Sequence, residues 1–404
     1  MKTTVRTAVT ALLTGALLAA APAAGAADRT PDRDHDRRHA GVQSVLDRAV
    51  SEAGLPGAMA EVRDGDSTWF GQAGTADLDT GRKLAPQDRF RIGSTTKTFV
   101  ATVLLQLEAE HRLSLDDSVE HWLPGLVDGN GYEGSRITIR QLLDHTSGIH
   151  NFARTKLAAD DFVGVPFLQH RFDSFTPRQL VEIALAYEPT FAPGTGWEYS
   201  DTNYVLAGMI VERVTGSSTA QQIAQRITTP LHLKSTYEPT GDDPRIHGPH
   251  GRAYSKLMVP GDTTPFYDVT EQNPSLGFGS GDMISTNGDL ATFFRALLQG
   301  RLLPPAQQQE MLTTLDPRGG WIPNTRYGLG VASLDLSCGT VWGMGGAIDG
   351  SWSYTFGTRD GRHVLSTEVN GDWANGTWAW PIGVFTAELE AEFCTPTTTA
   401  TTPS

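Results

Sequence analysis

Cysteine is nearly absent from this 404-residue chain. It has two, Cys338 and Cys394, too few for a disulfide-stapled scaffold, and neither has a His or a second Cys at metal-ligand spacing. Positive charge is also short: 32 Lys and Arg face 46 Asp and Glu, a net charge of −14. Phosphate binding needs the opposite sign, so a chain-wide nucleic-acid binder is excluded, and a small ligand or a neutral polymer suits the surface better. Long apolar runs are confined to the N-terminus, where Ala8 to Ala21 falls short of the ~20 residues of a membrane span. No G-x-S-x-G elbow, H-E-x-x-H pair, EF-hand loop, Walker A loop or dinucleotide fingerprint occurs, and no internal repeat. With 39% hydrophobic residues, global disorder is excluded too.

The first 26 residues read as a secretory signal: Lys2 and Arg6, the apolar run, then Ala24-Gly25-Ala26 as a small-x-small cleavage site. Cleavage removes two basic and no acidic residues, leaving an acidic secreted protein of net charge −16. In that compartment the two cysteines most simply form one bridge across 56 positions, with two buried free thiols as the alternative. Residues 27–40 read as a charged, solvated leader and residues 395–404 as a disordered Thr/Pro tail, leaving 41–394 as the folded unit.

Within that unit the flanks look strand-rich and the middle helical. Ala58 to Arg63 and Thr68 to Gly74 around Asp64-Gly65 predict a hairpin, and Ser351 to Thr358 and Arg362 to Asn370 predict another. Pro381 to Phe393 predicts a closing helix with Val384, Phe385 and Leu389 on one side. Early and late strands can share one antiparallel sheet flanked by helices, with a mainly helical lobe inserted between them: an α+β fold.

The residues with chemistry sit at helix starts. In Phe90-Arg-Ile-Gly-Ser-Thr-Thr-Lys97 the apolar spacing of Phe99, Val100, Val103, Leu104 and Leu107 starts a helix after Gly93, which puts Lys97 one turn beyond Ser94 on the same face. A desolvated amine can take a hydroxyl proton, and a helix N-terminus favours the resulting negative charge. The S-x-x-K spacing alone arises about once by chance in a chain this long, and Ser is a common N-cap. Its weight comes from its company. Tyr199-Ser-Asp-Thr-Asn-Tyr204 opens a second helix that Gly216 closes, which leaves Tyr199 free to point into a cleft as a proton shuttle. Leu142 to Gly148 reads as a helix-end turn in which His145 and Ser147 are structural, and Gly281 to Leu290 reads as a helix cap. Gly277 to Gly281 lacks the helix of a phosphate cradle and permits close backbone approach.

Taken together, FRIGSTTK, LLDHTSG, YSDTNY and GDMISTNGDL, in that order, resemble the penicillin-recognising serine hydrolases: serine β-lactamases, D-alanyl-D-alanine carboxypeptidases and related esterases. The likeness runs from about Val45 to Cys394 and is closest to the exported streptomycete-type carboxypeptidases. It implies a transpeptidase-like fold, Ser94 as acylated nucleophile, Lys97 as its base, Tyr199 as proton relay, and a Cys338–Cys394 bridge. No metal or cofactor is expected. The implied partners are a small peptide or ester, a peptidoglycan precursor or a β-lactam; a monomer is expected.

Two departures bear on the substrate. The second motif of that family is usually Tyr-x-Asn, and here Asp201 replaces the Asn, an anion able to hold Lys97 protonated or to repel an anionic ligand. The third motif usually offers Lys or His, then Ser or Thr, then Gly; here Met344, Gly345 and Gly346 stand there, and the preceding strand, Tyr327 to Ser333, supplies no cation. The terminal carboxylate of a carboxypeptidase substrate then lacks its charge-assisted partner. Some esterases of the superfamily also carry an apolar residue and two glycines at this point. A D-alanyl-D-alanine carboxypeptidase-like hydrolase is the first reading, an esterase or amidase the second, and a non-catalytic binder of cell-wall fragments or antibiotic the third.

Overall fold

In a computed structural model, residues 38–259, 265–378 and 380–394 are described. The signal segment and the tail lie outside them, as does most of the leader. Of its described residues His39 departs from the expected solvated segment: it is buried, stacks on Trp69 and pairs with Glu392 at 2.9 Å, while Arg38 and Ala40 are exposed. The helix that follows, α1 (Ala40–Ser51), packs against the sheet and draws its entry residue in with it.

Seven strands form one antiparallel sheet: β1 (Gly57–Asp64), β2 (Ser67–Gly74), β3 (Thr325–Tyr327), β4 (Ala332–Leu336), β5 (Gly339–Ile348), β6 (Ser351–Gly357) and β7 (His363–Val369), in the order β2-β1-β7-β6-β5-β4-β3. The first and last stretches of the chain therefore meet at β1–β7. The early hairpin turns on Gly65-Asp66, one residue later than the sequence suggests, with Asp64 opposite Ser67. The stretch Tyr327 to Ser333, expected as one strand, is a hairpin. Gly330 at φ +71° reverses it, because its carbonyl accepts from Thr98 and the chain must turn over the helix carrying Lys97.

Strand alternation puts Ala58, Ala60, Val62 and Trp69 toward α1 and the closing helix α5 (Pro381–Phe393), while Met59, Glu61 and Arg63 face α4 (Asn287–Leu298). The bridge Cys338–Cys394 ties the β4–β5 turn to the end of α5, a closure typically contributing about 2–4 kcal/mol.

The helical lobe is built around α3 (Asp201–Thr215), packed by α2 (Thr96–Ala109) and by the helices Ile139–Leu143, Pro177–Leu185 and Thr219–Ile223. Ten consecutive positions from Thr202 to Val211 are buried except Met209, so α3 is apolar on nearly all sides, as a central helix must be. One continuous apolar core runs through both lobes, which holds the ends of α2 and α3 rigidly against the edge of β5.

Glu388 of α5 is fully buried, and that burial pushes its carboxyl up to about 8, with Thr367 pulling the other way. The native state holds a proton there from about pH 4.5 to about 8, so stability is lost as pH rises through that window. Glu388→Gln is therefore expected to raise the melting temperature at pH 9 and to change it little at pH 4; an equal shift at both pH values, read by calorimetry, contradicts this.

Candidate active site

The two-residue strands Phe90–Arg91 and Ile284–Ser285 pair antiparallel, and Ile92 N donates to Met283 O at 3.0 Å. This clamp delivers the chain into a single 3-10 turn, Gly93–Thr95, from which α2 continues. Gly93 sits at φ +48°, and a Cβ there would lie 2.6 Å from Ala347 N. Gly346 is tighter still: its Cβ would come within 1.8 Å of Ile92 O and 2.9 Å of Ser94 N. The turn and β5 thus meet backbone to backbone. That contact sets the amide nitrogens of Ser94 and Ala347 beside one another, a pair suited to an oxyanion forming next to Ser94.

Lys97 lies one turn beyond Ser94 with no solvent exposure. Its Nζ has three oxygen partners: Ser94 Oγ at 3.1 Å, Asp201 Oδ1 at 2.6 Å and the Ser280 carbonyl at 2.7 Å. Asp201 opens α3, where the helix dipole favours its charge. Its other oxygen accepts from Asn151 Nδ2 at 3.1 Å, and Asn151 is itself fixed by Ala153 N donating to its Oδ1. The Asp201 side chain keeps 20% of its surface open.

Tyr199 donates to Ser94 Oγ at 2.8 Å, with its ring 4.9 Å from Lys97 Nζ. Burial, with the Asp201 carboxylate adding to it, pushes the phenol well above its ordinary value, and the Ser94 hydrogen bond opposes this; at neutral pH it is a donor. Behind the ring lies His145, fully buried, its centroid 4.4 Å from that of Tyr199. Its Nδ1 accepts from Ser200 N and Asn203 Nδ2, so Nε2 carries the hydrogen toward Tyr327 OH at 3.2 Å. Burial and the nearby Lys97 lower its pKa well below the usual imidazole value. Ser147 donates to Asn203 Oδ1 at 2.6 Å and completes the support. Both residues fit the structural role read from the sequence.

Ser94 opens onto two cavities. One, of about 230 Å³, is walled by Tyr199, Trp321, Met344, Trp352, Tyr354 and Ile382. Trp352, Tyr354 and Phe356 alternate along β6 on one face, and Gly345 leaves the room that the Tyr354 ring occupies: a Cβ there would lie 2.3 Å from it. Among the described residues, no Lys, Arg or His lines this cavity. The other, of about 190 Å³, is bounded by Asp201, Phe152, Phe162, Ser280, His170 and Asp349. Burial and Asp372 push the Asp349 carboxyl up to about 7. Arg171 also borders this cavity, but it donates to the Asp268 carbonyl at 2.8 Å and lies over the Phe172 ring. Arg326, on β3, turns to Thr314.

The structure thus links Tyr199, Ser94, Lys97 and Asp201 in one chain of hydrogen bonds and sets Met344, Gly345 and Gly346 along the first cavity. Sequence reasoning missed Asn151, the Ser280 carbonyl, the Ala347 amide and the aromatic wall. Of these only the wall left a trace, the alternation Trp352-Ser-Tyr-Thr-Phe356. A backbone carbonyl or amide has no residue signature at all.

An antiparallel sheet, an inserted helical lobe, and a Ser-Lys-Tyr cluster where the two meet define a serine hydrolase of the transpeptidase-like kind. The chain belongs to the beta-lactamase family, whose model matches residues 42–373. A crystal structure described as a D-stereospecific amidohydrolase from a Streptomyces species is 48% identical, covers 88% of this chain and 98% of its own, and superimposes with a TM-score of 0.80. D-amino acid amidase from Ochrobactrum anthropi SV3 in complex with D-phenylalanine is 26% identical over 88% of this chain and 98% of its own, with a TM-score of 0.76. Esterase EstB of Burkholderia gladioli is 34% identical over 207 residues, 48% of this chain and 50% of its own length. The chain spans about half the length of that curated relative.

Because Gly346→Ala places a methyl group against Ile92 O, β5 must withdraw from the Ser94 turn. Labelling of Ser94 by a fluorophosphonate is expected to slow by about 100-fold, the usual cost of one lost oxyanion donor. A labelling rate equal to wild type, in protein with an unchanged circular-dichroism spectrum, contradicts the assignment.

Proposed function

We propose that this chain is an exported acyl-transfer hydrolase that cleaves amides or esters of D-amino acids bearing a free amino group, with Ser94 as nucleophile. One observation carries the reading: the partly exposed carboxylate of Asp201 stands beside Ser94 through Lys97, and among the described residues the cavity along β5 is aromatic and lined by no cation. Such a site suits an ammonium and a bulky apolar side chain. Along β5 its described residues offer no charged partner to the terminal carboxylate of a D-alanyl-D-alanine peptide, so the carboxypeptidase reading takes second place. The descriptions of the Streptomyces and Ochrobactrum structures support the same choice. The N-terminal signal pattern supports export, and the Cys338–Cys394 bridge accords with an oxidising compartment.

In this mechanism neutral Lys97 takes the Ser94 proton while Oγ attacks the substrate carbonyl. The amides of Ser94 and Ala347 hold the oxyanion. Tyr199, a neutral phenol within 2.8 Å of Oγ, hands a proton to the leaving nitrogen or oxygen as Lys97 replaces it. Water then enters along the leaving-group path and the same groups run the steps in reverse.

Wild-type protein is expected to release ammonia from D-phenylalanine amide with kcat/KM at least about 100-fold above that for D-alanine release from diacetyl-Lys-D-Ala-D-Ala. That is the size of one missing charge-assisted contact. L-phenylalanine amide should be a poorer substrate, and Ser94→Ala should abolish turnover. Faster release of D-alanine from the tripeptide would restore the carboxypeptidase reading.

A further inference from the structure

The Lys97 site admits two hydrogen-bonding states with the same heavy-atom positions. As an ammonium, its three N–H bonds match Asp201 Oδ1, the Ser280 carbonyl and Ser94 Oγ. As a neutral amine, two N–H bonds serve Asp201 and Ser280, and the lone pair receives the Ser94 hydroxyl. Only the second state can take the Ser94 proton.

The charges facing Nζ decide between them. From α3 come Asp201 and Tyr204, from the segment before it Tyr199, from the helix-end turn His145, from β3 Tyr327, and from the loop after Ser280 the carboxyl of Asp282. The three phenols are pushed well above their ordinary values, mainly by burial, and so are uncharged at neutral pH. Burial, with Glu238 adding to it, likewise pushes the Asp282 carboxyl well above its usual range, and burial keeps His145 neutral. Asp201 is then the dominant charge facing Lys97, and it favours the ammonium, the state unable to act as base.

Asp201 also faces outward. It borders the second cavity, which Asn273, Asp349, Asp173, His170 and Arg171 also line; His170 pairs with Asp173 at 2.7 Å and Arg171 donates to the Asp268 carbonyl at 2.8 Å. Asn151 pins its outer oxygen, so the carboxylate cannot swing away from either side.

We propose that the substrate's ammonium docks on Asp201 from this second cavity, and that sharing the carboxylate with a second cation is what frees Lys97 to act as the base. The inference rests on the free-amine substrate reading. On docking, Lys97 sheds one proton to bulk water. The Ser94 hydroxyl proton then passes to Nζ as the Oγ–C bond forms; the C–N bond breaks, and a proton returns through Tyr199 to the leaving nitrogen, which departs as ammonia. Substrate charge thus switches on the nucleophile, and a neutral ester must react against an Asp201 still paired with Lys97. Asp201 is in this sense both a docking and a specificity-determining residue.

The test compares kcat against pH for D-phenylalanine methyl ester and N-acetyl-D-phenylalanine methyl ester, in wild type and in Asp201→Asn. Reading kcat at saturation keeps titration of the free substrate out of the profile. In wild type the acidic limb for the free-amine ester is expected at lower pH than for the N-acetyl ester. In Asp201→Asn the two limbs should coincide, and the kcat/KM preference for the free amine should fall at least tenfold. If both esters lose activity by the same factor with the gap between limbs intact, Asp201 is only structural and the inference is overturned while the substrate reading stands. A wild type that turns over only the N-acetyl ester overturns both. Should Asp201→Asn fail to fold, the wild-type gap between the two limbs still decides, since coincident limbs contradict the switch.

Discussion

Everything near the site depends on a buried amine whose three hydrogen-bond partners are all oxygens. A lysine sealed from water cannot stand there unpaired, because the cost of desolvating its charge is several kcal/mol. The protein meets that demand from three separate places: a hydroxyl one turn back on α2, a carboxylate at the start of α3, and a carbonyl in the glycine-rich loop ending at Gly281. Each is then held by structure behind it. Asn151 fixes the carboxylate, His145 and Asn203 support the junction into α3, and close approach at Gly279 packs the loop onto Tyr204.

The same economy of space governs the nucleophile. Gly93 and Gly346 let two backbones touch, and that contact aligns the Ser94 and Ala347 amides without any side chain taking part. Immediately beside it β6 lays an aromatic stripe over Gly345. Met344 in place of a cation and Gly345 in place of a hydroxyl therefore do more than subtract a carboxylate partner. They leave an aromatic, apolar cavity with an acidic neighbour in Asp201, the two features on which the proposed free-amine substrate rests.

Much of this was legible in the sequence. Both hairpins were legible from short strand-forming runs about a turn, and Pro381 to Phe393 was readable as a helix to its ends, because turn residues and an apolar stripe at fixed spacing are local properties. Ser94, Lys97 and Tyr199 were readable for the same reason: each lies in a short motif at a helix start, where backbone geometry fixes its direction. Misreadings occurred where a distant partner overrode local preference. Tyr327 to Ser333 looks like a strand, but Thr98 on α2 captures the Gly330 carbonyl and bends it into a hairpin. His39 looks solvated until Trp69 and Glu392, remote in sequence, close around it.

The chain by itself determined which residues can do chemistry, the antiparallel flanks and helical middle, the cysteine pair, and the sign of charge that an Asp at position 201 brings. These follow from residue type and short-range spacing. Only the tertiary structure decided that Asp201 grips Lys97 while still facing a cavity, that Asn151 holds it there, and that Arg171, at the border of that cavity, donates to the Asp268 carbonyl. Those facts depend on contacts between residues 50 to 104 positions apart, and such contacts are set by the packing of a common core rather than by any pattern along the chain.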